Sequence, residues 1–325
     1  MMAPRVAVVI ATYRRPDLLR RCLDALARQT LAGSEYEVIV VDDGHTADTR
    51  EVVLDFDARH GGAPAFRYLE SQGTRGPAGA RNVGWRHAQA PLIAFTDDDT
   101  VPAPAWLEEG CQAMSGPWVA VGGRLVVPLE GEPTDHARNT QGLEKAEFAT
   151  ANAFVRRDAL RKIGGFDERY TRAWREDSDL QFTLMRECGP VGWASGAVVM
   201  HPVRPVPWGF SLKTQANVFF DALLFKKHPA LYRSRIRPRP PWRYYLIVLC
   251  ALASLMLALA GQGGLAVAAL ALALGAVAVF TIERLSGTSH TPAHIAEMLL
   301  TSMAIPFLSV YWRVKGALHF RVPFI

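Results

Sequence analysis

Residues 6–10 form an unbroken β-rich run, Val6-Ala7-Val8-Val9-Ile10, that ends in the polar Ala11-Thr12-Tyr13. Pro16-Asp17 then opens a stretch in which Leu18, Leu19, Cys22, Leu23 and Leu26 recur at helical spacing, so a helix is predicted after the first strand. The alternation continues with a strand over 36–41 closing on Asp42-Asp43-Gly44, a helix over 46–60 and a shorter strand near 66–69. A Gly-rich loop follows, then a helix over 80–88 and a strand over 92–95 that runs into Thr96-Asp97-Asp98-Asp99-Thr100. Strands alternating with helices predict an α/β domain, its sheet parallel and covered on both faces. In such sheets ligands bind beyond the carboxyl ends of the strands. The polar clusters fall at those ends.

The pattern changes past residue 243. Between Arg243 and Glu283 lie 39 residues without a charge, about 58 Å of helix against a hydrocarbon core of about 30 Å. Gly261-Gln262-Gly263-Gly264 divides them, so 244–282 reads as two transmembrane helices joined by a tight turn. A soluble core helix would carry polar residues on some face, and neither half does. Five arginines from Arg233 to Arg243 precede the pair and Arg284 follows it, which predicts cytoplasmic flanks at both ends. A third apolar stretch, 295–312, contains Glu297 and Pro306 and is followed by Arg313, Lys315, His319 and Arg321. If it crossed, that basic tail would lie outside, so an interfacial or re-entrant helix is expected, with Tyr311 and Trp312 at headgroup level. The run 6–10 is too short for the apolar core of a signal peptide, and Arg14-Arg15 follow it rather than lead it. The expected division is a cytoplasmic domain over 1–232, a basic Pro-rich linker over 233–243, two membrane helices over 244–282, and a tail over 283–325.

Charge sharpens this division. The 325 residues carry a formal +5, yet 27 Lys+Arg stand against 29 Asp+Glu up to Tyr232, and nine against two from Arg233 onward. A nucleic-acid binder would carry its positive charge on the folded domain, so that class is excluded. The 50% hydrophobic content excludes a disordered tail. Cys22, Cys111, Cys188 and Cys250 are far apart with no C-x-x-C pair, giving neither a zinc signature nor a disulfide framework, and point to a reducing compartment.

Three consecutive carboxylates at one strand end repel one another unless a cation or water compensates them. Mg²⁺ or Mn²⁺ would suit: each takes oxygen ligands and is held by one or two carboxylates together with substrate phosphates. Asp97 and Asp99, two apart, would point the same way in an extended segment; the bland alternative is an acidic turn or cap. The loop Gly73-Thr74-Arg75-Gly76-Pro77-Ala78-Gly79-Ala80-Arg81-Asn82-Val83-Gly84 offers backbone N–H groups, a helix start and two arginines to a diphosphate, or is plain loop. Glu176-Asp177 opens an amphipathic helix with Leu180, Phe182, Leu184 and Met185 inward; the pair is either dipole-favourable capping or a carboxylate base for a hydroxyl. His201 follows a strand, as a structural residue or a ligand.

Taken in order, VAVVIATYRRPDLL, VIVVDDG, GPAGARNVG, FTDDDT, IGGFDE and WREDSDL resemble the family 2 glycosyltransferases of the GT-A fold, over about residues 3–205. The resemblance implies a mixed, mostly parallel sheet with helices on both faces. It also implies inverting transfer of a sugar from a nucleotide-diphosphate donor to a hydroxyl acceptor, helped by Mn²⁺ or Mg²⁺. By matching position it assigns Ala11, Tyr13, Asp42 and Asp43 to the nucleotide, Arg81 to its phosphates or ribose, and Asp97, Asp98 and Asp99 to ribose and metal. Asp177 matches the general base with Glu176 beside it, and His201 a further metal or phosphate ligand. The Gln-x-x-Arg-Trp motif of processive members is absent, which argues against synthesis of a long polymer and leaves cell-surface polysaccharide or glycolipid synthesis as the expected setting.

Two other readings stay open. Phe95–Val101 also fits the D-x-D-x-[TV] pattern of haloacid-dehalogenase-like phosphatases, with Asp97 as nucleophile, although two strong strands precede it here. A membrane-anchored binding domain without turnover is the second. The segment RSRIRPRPPWR could lie along anionic headgroups and hold the site near a lipid-linked acceptor. The region 126–149 is polar and without clear pattern, and acceptor choice would reside there.

Overall fold

The computed structural model describes residues 4–73 and 75–324; Thr74 of the Gly-rich loop lies outside them. The chain divides into two compact units, one running up to Pro128 and taking in Gln141–Val203, the other comprising Leu129–Thr140 and the chain from Arg204 onward.

The first unit is built on one sheet of eight strands: β1 Val6–Thr12, β2 Tyr36–Asp42, β3 Ala65–Glu70, β4 Leu92–Asp97, β5 Val101–Pro102, β6 Ala120–Val126, β7 Asn152–Arg156 and β8 Val191–Met200. Their order is β3-β2-β1-β4-β7-β6-β8-β5. β1, β2, β3 and β4 are parallel, as the alternation of strands and helices predicts. The sheet then turns mixed: β7 is antiparallel to both β4 and β6, while β8 is parallel to β6. Two reversals restore direction, so β4, β6 and β8 all deliver their carboxyl ends to one edge. His201, just past β8, donates its N–H to the Val126 carbonyl at the end of β6 (2.8 Å).

Alternation along β1 sends Val6, Val8 and Ile10 into one buried cluster and Ala7 and Val9 into the other. Leu19, Leu23 and Leu26 of the helix Pro16–Leu26, with Val53 and Phe56 of Ala47–His60, close the first cluster. Ala80 of Pro77–His87, Leu160 of Arg157–Ile163 and Leu180 of Glu176–Glu187 close the second. Helices therefore cover both faces. Asn152, fully buried, ties the mixed half together: its Oδ1 accepts from the Trp106 indole (2.8 Å) and its Nδ2 donates to the carbonyls of Arg124 (3.0 Å) and Ala197 (2.8 Å).

In the second unit, Trp242–Leu259 and Gly263–Leu285 form a helical hairpin with Arg243 paired to Glu283 (2.7 Å) at its charged end. The third apolar stretch is longer than the pattern indicates, a continuous helix Pro292–Phe320 of 29 residues that runs through Pro306. Among the described residues, three helices are therefore long and apolar enough to cross a membrane. The third is amphipathic in reverse. Ile295, Leu299, Met303, Phe307, Tyr311, Val314 and Leu318 form an exposed apolar stripe, while His294, Thr301, Ser302, Ser309 and Arg313 are buried. Arg284, at the charged end of the hairpin, donates to the hydroxyls of Thr301 (2.7 Å) and Ser302 (3.0 Å) and pairs with Asp135 (2.8 Å).

Residues 204–232, expected within the first domain, belong to this second unit because their apolar residues pack on the third helix. Phe219 stacks on Phe320 at 4.9 Å, and a Cβ at Gly316 would come within 2.5 Å of the Phe219 carbonyl oxygen, so only glycine allows that approach. The region 126–149 is split: Asp135–Gln141 is helical and its residues up to Thr140 join the second unit, while the turn Gly142–Lys145 stays with the first.

Asn152→Ala would leave an indole N–H and two buried carbonyls unpaired, a loss of about 3 kcal/mol. Thermal unfolding of the full chain should shift down by roughly 6–12 °C, against no shift for a surface control such as Arg59→Ala.

Candidate functional site

The parallel half brings the ends of β1, β2 and β4 into register, Ala11 beside Asp97 and Thr12 beside Asp42. At this edge Asp97, Asp99 and His201 converge, each offering a ligand atom within 4.8 Å of the others. Asp97 and Asp99 reach the same space through a turn rather than an extended segment: Thr100 Oγ1 donates to the Asp97 carbonyl (2.8 Å) and closes it. His201 Nε2 stands 3.7 Å from Asp99 Oδ1, and its Nδ1 is buried without a hydrogen-bond partner. Two carboxylates and an imidazole are a donor set that accommodates Mn²⁺ well and leaves coordination positions for phosphate oxygens.

Asp98 lies outside that cluster. Buried to 3% exposure, it accepts from Thr12 Oγ1 (2.7 Å) and from Arg15 (3.3 Å). Burial pushes its carboxyl up to about 6 despite the Arg15 guanidinium. Asp42 is likewise spent inside the fold, accepting from the Gly44 and Thr46 amides (2.7 and 2.8 Å) and from the Tyr68 hydroxyl (3.3 Å), which shapes the turn after β2. Asp43, half-buried, accepts from the Gly76 amide (2.9 Å) and so pins the Gly-rich loop to the end of β2. Tyr13 is exposed and Ala11 half-buried at the end of β1.

Arg81 is buried to 3% exposure, with one Nη donating to Asp97 (2.7 Å) and the other to Glu176 Oε1 (3.0 Å). It joins the end of β4 to the first turn of the helix Glu176–Glu187. Asn82, next to it, fixes the loop that leads to that helix: it exchanges hydrogen bonds with both the N–H and the carbonyl of Phe166 (both 2.9 Å) and donates to Glu168 (2.8 Å). Gly165, at φ +85°, permits this, since a Cβ there would lie 2.4 Å from Asn82 Oδ1. The helix then starts abruptly after Arg175, whose φ of +75° marks a strained backbone beside two carboxylates.

Glu176 is 4% exposed, and its Oε2 is buried without a partner. Burial, reinforced by the charge of Asp177 and opposed by Arg81, pushes its carboxyl up to about 7. Asp177 is half-buried, accepts from the Ser178 amide (2.6 Å), and is also pushed up by burial. Two carboxyls pushed up by burial on one helix turn, with Glu176 tied through Arg81 to Asp97, can exchange a proton with a hydroxyl. The roles of Arg15 and Asn82 were not visible in the sequence pattern; the only signal was that Asn82 follows Arg81 in a Gly-rich segment.

A family model described as glycosyl transferase family 2 matches residues 7–178, just over half of the chain. Among curated proteins, glycosyltransferase AglE of Haloferax volcanii is 31% identical over 230 residues, covering 66% of this chain and 72% of that protein. Validoxylamine A glucosyltransferase of Streptomyces hygroscopicus subsp. limoneus is 44% identical over 114 residues, 35% of this chain and 24% of that protein. Pre-mycofactocin glycosyltransferase of Mycobacterium tuberculosis is 31% identical over 215 residues, and there the chain spans 43% of the relative's length. Among solved structures, the mannosyltransferase PcManGT from Pyrobaculum calidifontis, in complex with GDP-Man and Mn²⁺, shares the fold at a TM-score of 0.58 and 19% identity, over 97% of this chain and 88% of that one.

Because Glu176 holds its proton to a higher pH than a carboxyl near 4.5, the native state binds more protons than the unfolded chain between about 4.5 and about 7. Its contribution to stability is therefore lost as pH rises through that window. Glu176→Gln should flatten this part of the profile, leaving the shares due to Asp98 and Asp177; melting curves of chelator-treated protein across the window check it, and an unchanged slope would place the titrating group elsewhere.

Proposed function

The chain belongs to glycosyl transferase family 2, and from that premise we propose that it moves a sugar from a nucleotide-diphosphate donor to a hydroxyl acceptor with inversion, using Asp177 as base. The observation that carries this reading is the convergence of Asp97, Asp99 and His201 at the strand edge, with Arg81 linking Asp97 to the Glu176–Asp177 turn. A haloacid-dehalogenase-like reading would leave Asp97 free as a nucleophile, whereas here it is ion-paired to a buried arginine.

In this mechanism Asp97, Asp99 and His201 would hold Mn²⁺ or Mg²⁺, which when bound neutralises negative charge on a diphosphate leaving group. Asp43, Tyr13 and Ala11 line the place for the nucleotide: Tyr13 offers an exposed ring for the base, and Asp43 holds the Gly-rich loop next to it. Asp42 and Asp98 act indirectly, by shaping the turns that carry Asp43 and Asp99. Asp177 takes the acceptor hydroxyl proton as that oxygen attacks the anomeric carbon from the face opposite the leaving group, and a single displacement inverts the centre. Glu176, its carboxyl pushed up to about 7 by burial, carries less negative charge beside Asp177 before the proton arrives than an ordinary carboxylate would. Arg81 positions both carboxylates rather than a phosphate, since both its ends are occupied.

The second unit holds the enzyme at the inner membrane, with the hairpin spanning and its arginine-flanked end at the cytoplasmic face. The helix Pro292–Phe320 lies along that face. Its residues Thr301 and Ser302 bond Arg284 at the charged end of the hairpin, and its exposed stripe from Ile295 to Leu318 would enter the acyl boundary. An acceptor presented at the bilayer, such as a lipid-linked hydroxyl in polysaccharide or glycolipid synthesis, fits this placement.

Asp177→Asn should lower transfer by roughly a thousandfold with donor binding kept; an equal loss of donor affinity would remove Asp177 from the role of base. Asp99→Ala should abolish the Mn²⁺ dependence of donor binding, read by calorimetry over a panel of nucleotide sugars with Mn²⁺ and with chelator. An unchanged metal titration would move the metal away from this cluster.

A further inference from the structure

Among the described residues Arg313 is a buried cation without a carboxylate partner. It is 1% exposed on the third long helix, directly after Tyr311 and Trp312, and its Nε is buried without a hydrogen-bond partner. Among the described residues no carboxylate lies within ion-pair distance of it, and the Phe324 ring lies 4.4 Å from its guanidinium carbon. Burying a guanidinium costs several kcal/mol unless an anion or hydrogen bonds compensate it.

Its surroundings are basic and aromatic. Phe324 packs against Phe225 (5.3 Å) and Tyr232 (5.5 Å). Arg233 stands 4.9 Å over the Phe225 ring and 6.0 Å over that of Tyr232. Two guanidiniums thus contact the three rings. The Arg237 amide donates to the Tyr232 carbonyl (2.9 Å), which brings a third arginine to the same cluster. The acid in this region, Asp221, is buried and accepts from the Tyr232 hydroxyl (3.2 Å). Lys315, over Trp312 at 4.5 Å, adds a cation on the exposed side of the same turn. Arginines set among interfacial Trp and Tyr, between helices at a bilayer surface, have the chemistry that takes an anionic headgroup.

We infer that Arg313, with Arg233 and Arg237, forms a binding site for the phosphate group of an anionic membrane lipid, separate from the donor site and independent of sugar transfer. The phosphate would supply the charge and acceptors that Arg313 lacks, while the lipid chains continue along the apolar stripe of the same helix.

The full chain in nanodiscs of phosphatidylcholine, with and without phosphatidylglycerol, tests this by thermal unfolding and by native mass spectrometry of retained lipid. Wild type should melt higher with phosphatidylglycerol and retain it on release from the disc. Arg313→Gln should lose that gain, and Arg233→Gln and Arg237→Gln should each weaken retention by about five-fold, the effect of one arginine near an anionic surface. Inorganic phosphate added to detergent-solubilised protein separates the sources: no shift supports a lipid, whereas an equal shift makes the ligand a free phosphate and overturns the lipid assignment. If Arg313→Gln does not fold, the other two variants decide. Phosphatidylglycerol retention unchanged in both, or no gain in wild type, overturns the site. Donor binding by calorimetry, run in parallel, reports on the sugar-transfer reading alone.

Discussion

The first unit depends on one buried arginine. Asp97 ends a strand and Glu176 begins a helix 79 positions later, and neither carboxylate would sit so close to the other without Arg81 between them. Taking three ionisable groups out of water costs several kcal/mol each, and only good geometry recovers it. Here geometry is supplied from both sides: Pro77–His87 carries Arg81 under the strand edge, and Asn82 on the same helix staples the loop that delivers Glu176. Recovery is incomplete, since Arg81 Nε and Glu176 Oε2 stay buried without partners. Burial without a partner for Oε2, with the charge of Asp177 beside it, pushes the Glu176 carboxyl up to about 7.

The same economy governs the other acids. Seven carboxylates would be a liability at one sheet edge, and the fold divides them by burial. Asp42 and Asp98 are turned inward and consumed by turns, the first by backbone amides and the second by Thr12 and Arg15. Asp43 faces the Gly-rich loop. What remains is a small open group, Asp97 and Asp99 with His201, whose mutual repulsion a divalent cation would relieve. Site and scaffold are thus one system: removing an inward acid would loosen the turn that aims an outward one.

The alternation of hydrophobic runs and helical spacing was enough to read the parallel half of the sheet and to put the acids at its carboxyl edge, because burial on both faces leaves strands such as 36–41 nearly all apolar. Spacing could not say which of Asp97, Asp98 and Asp99 would face the open side, since that follows from a turn closed by Thr100 and from a threonine 86 residues away. Nor could it show that β7 reverses direction, because a fully buried strand reads the same both ways. Arg15 was hidden as an ordinary surface arginine, and Asn82 inside a segment whose glycines drew the eye. The boundary near 203 was missed because Phe219, Phe220 and Leu223 look like any amphipathic core until the helix they pack on is known.

The second unit inverts the usual rule, and its buried polar groups explain how. The helix Pro292–Phe320 turns Thr301, Ser302, Ser309 and Arg313 inward and an apolar stripe outward, which would be unstable in water and is reasonable only where lipid covers the stripe. Inside, Thr301 and Ser302 are paid in hydrogen bonds by Arg284, and Arg284 in turn by Asp135. That network fixes the helix, at Thr301 and Ser302, to the charged end of the hairpin. Arg313 extends the same inward row by three turns, and its Nε has no hydrogen-bond partner among the described residues.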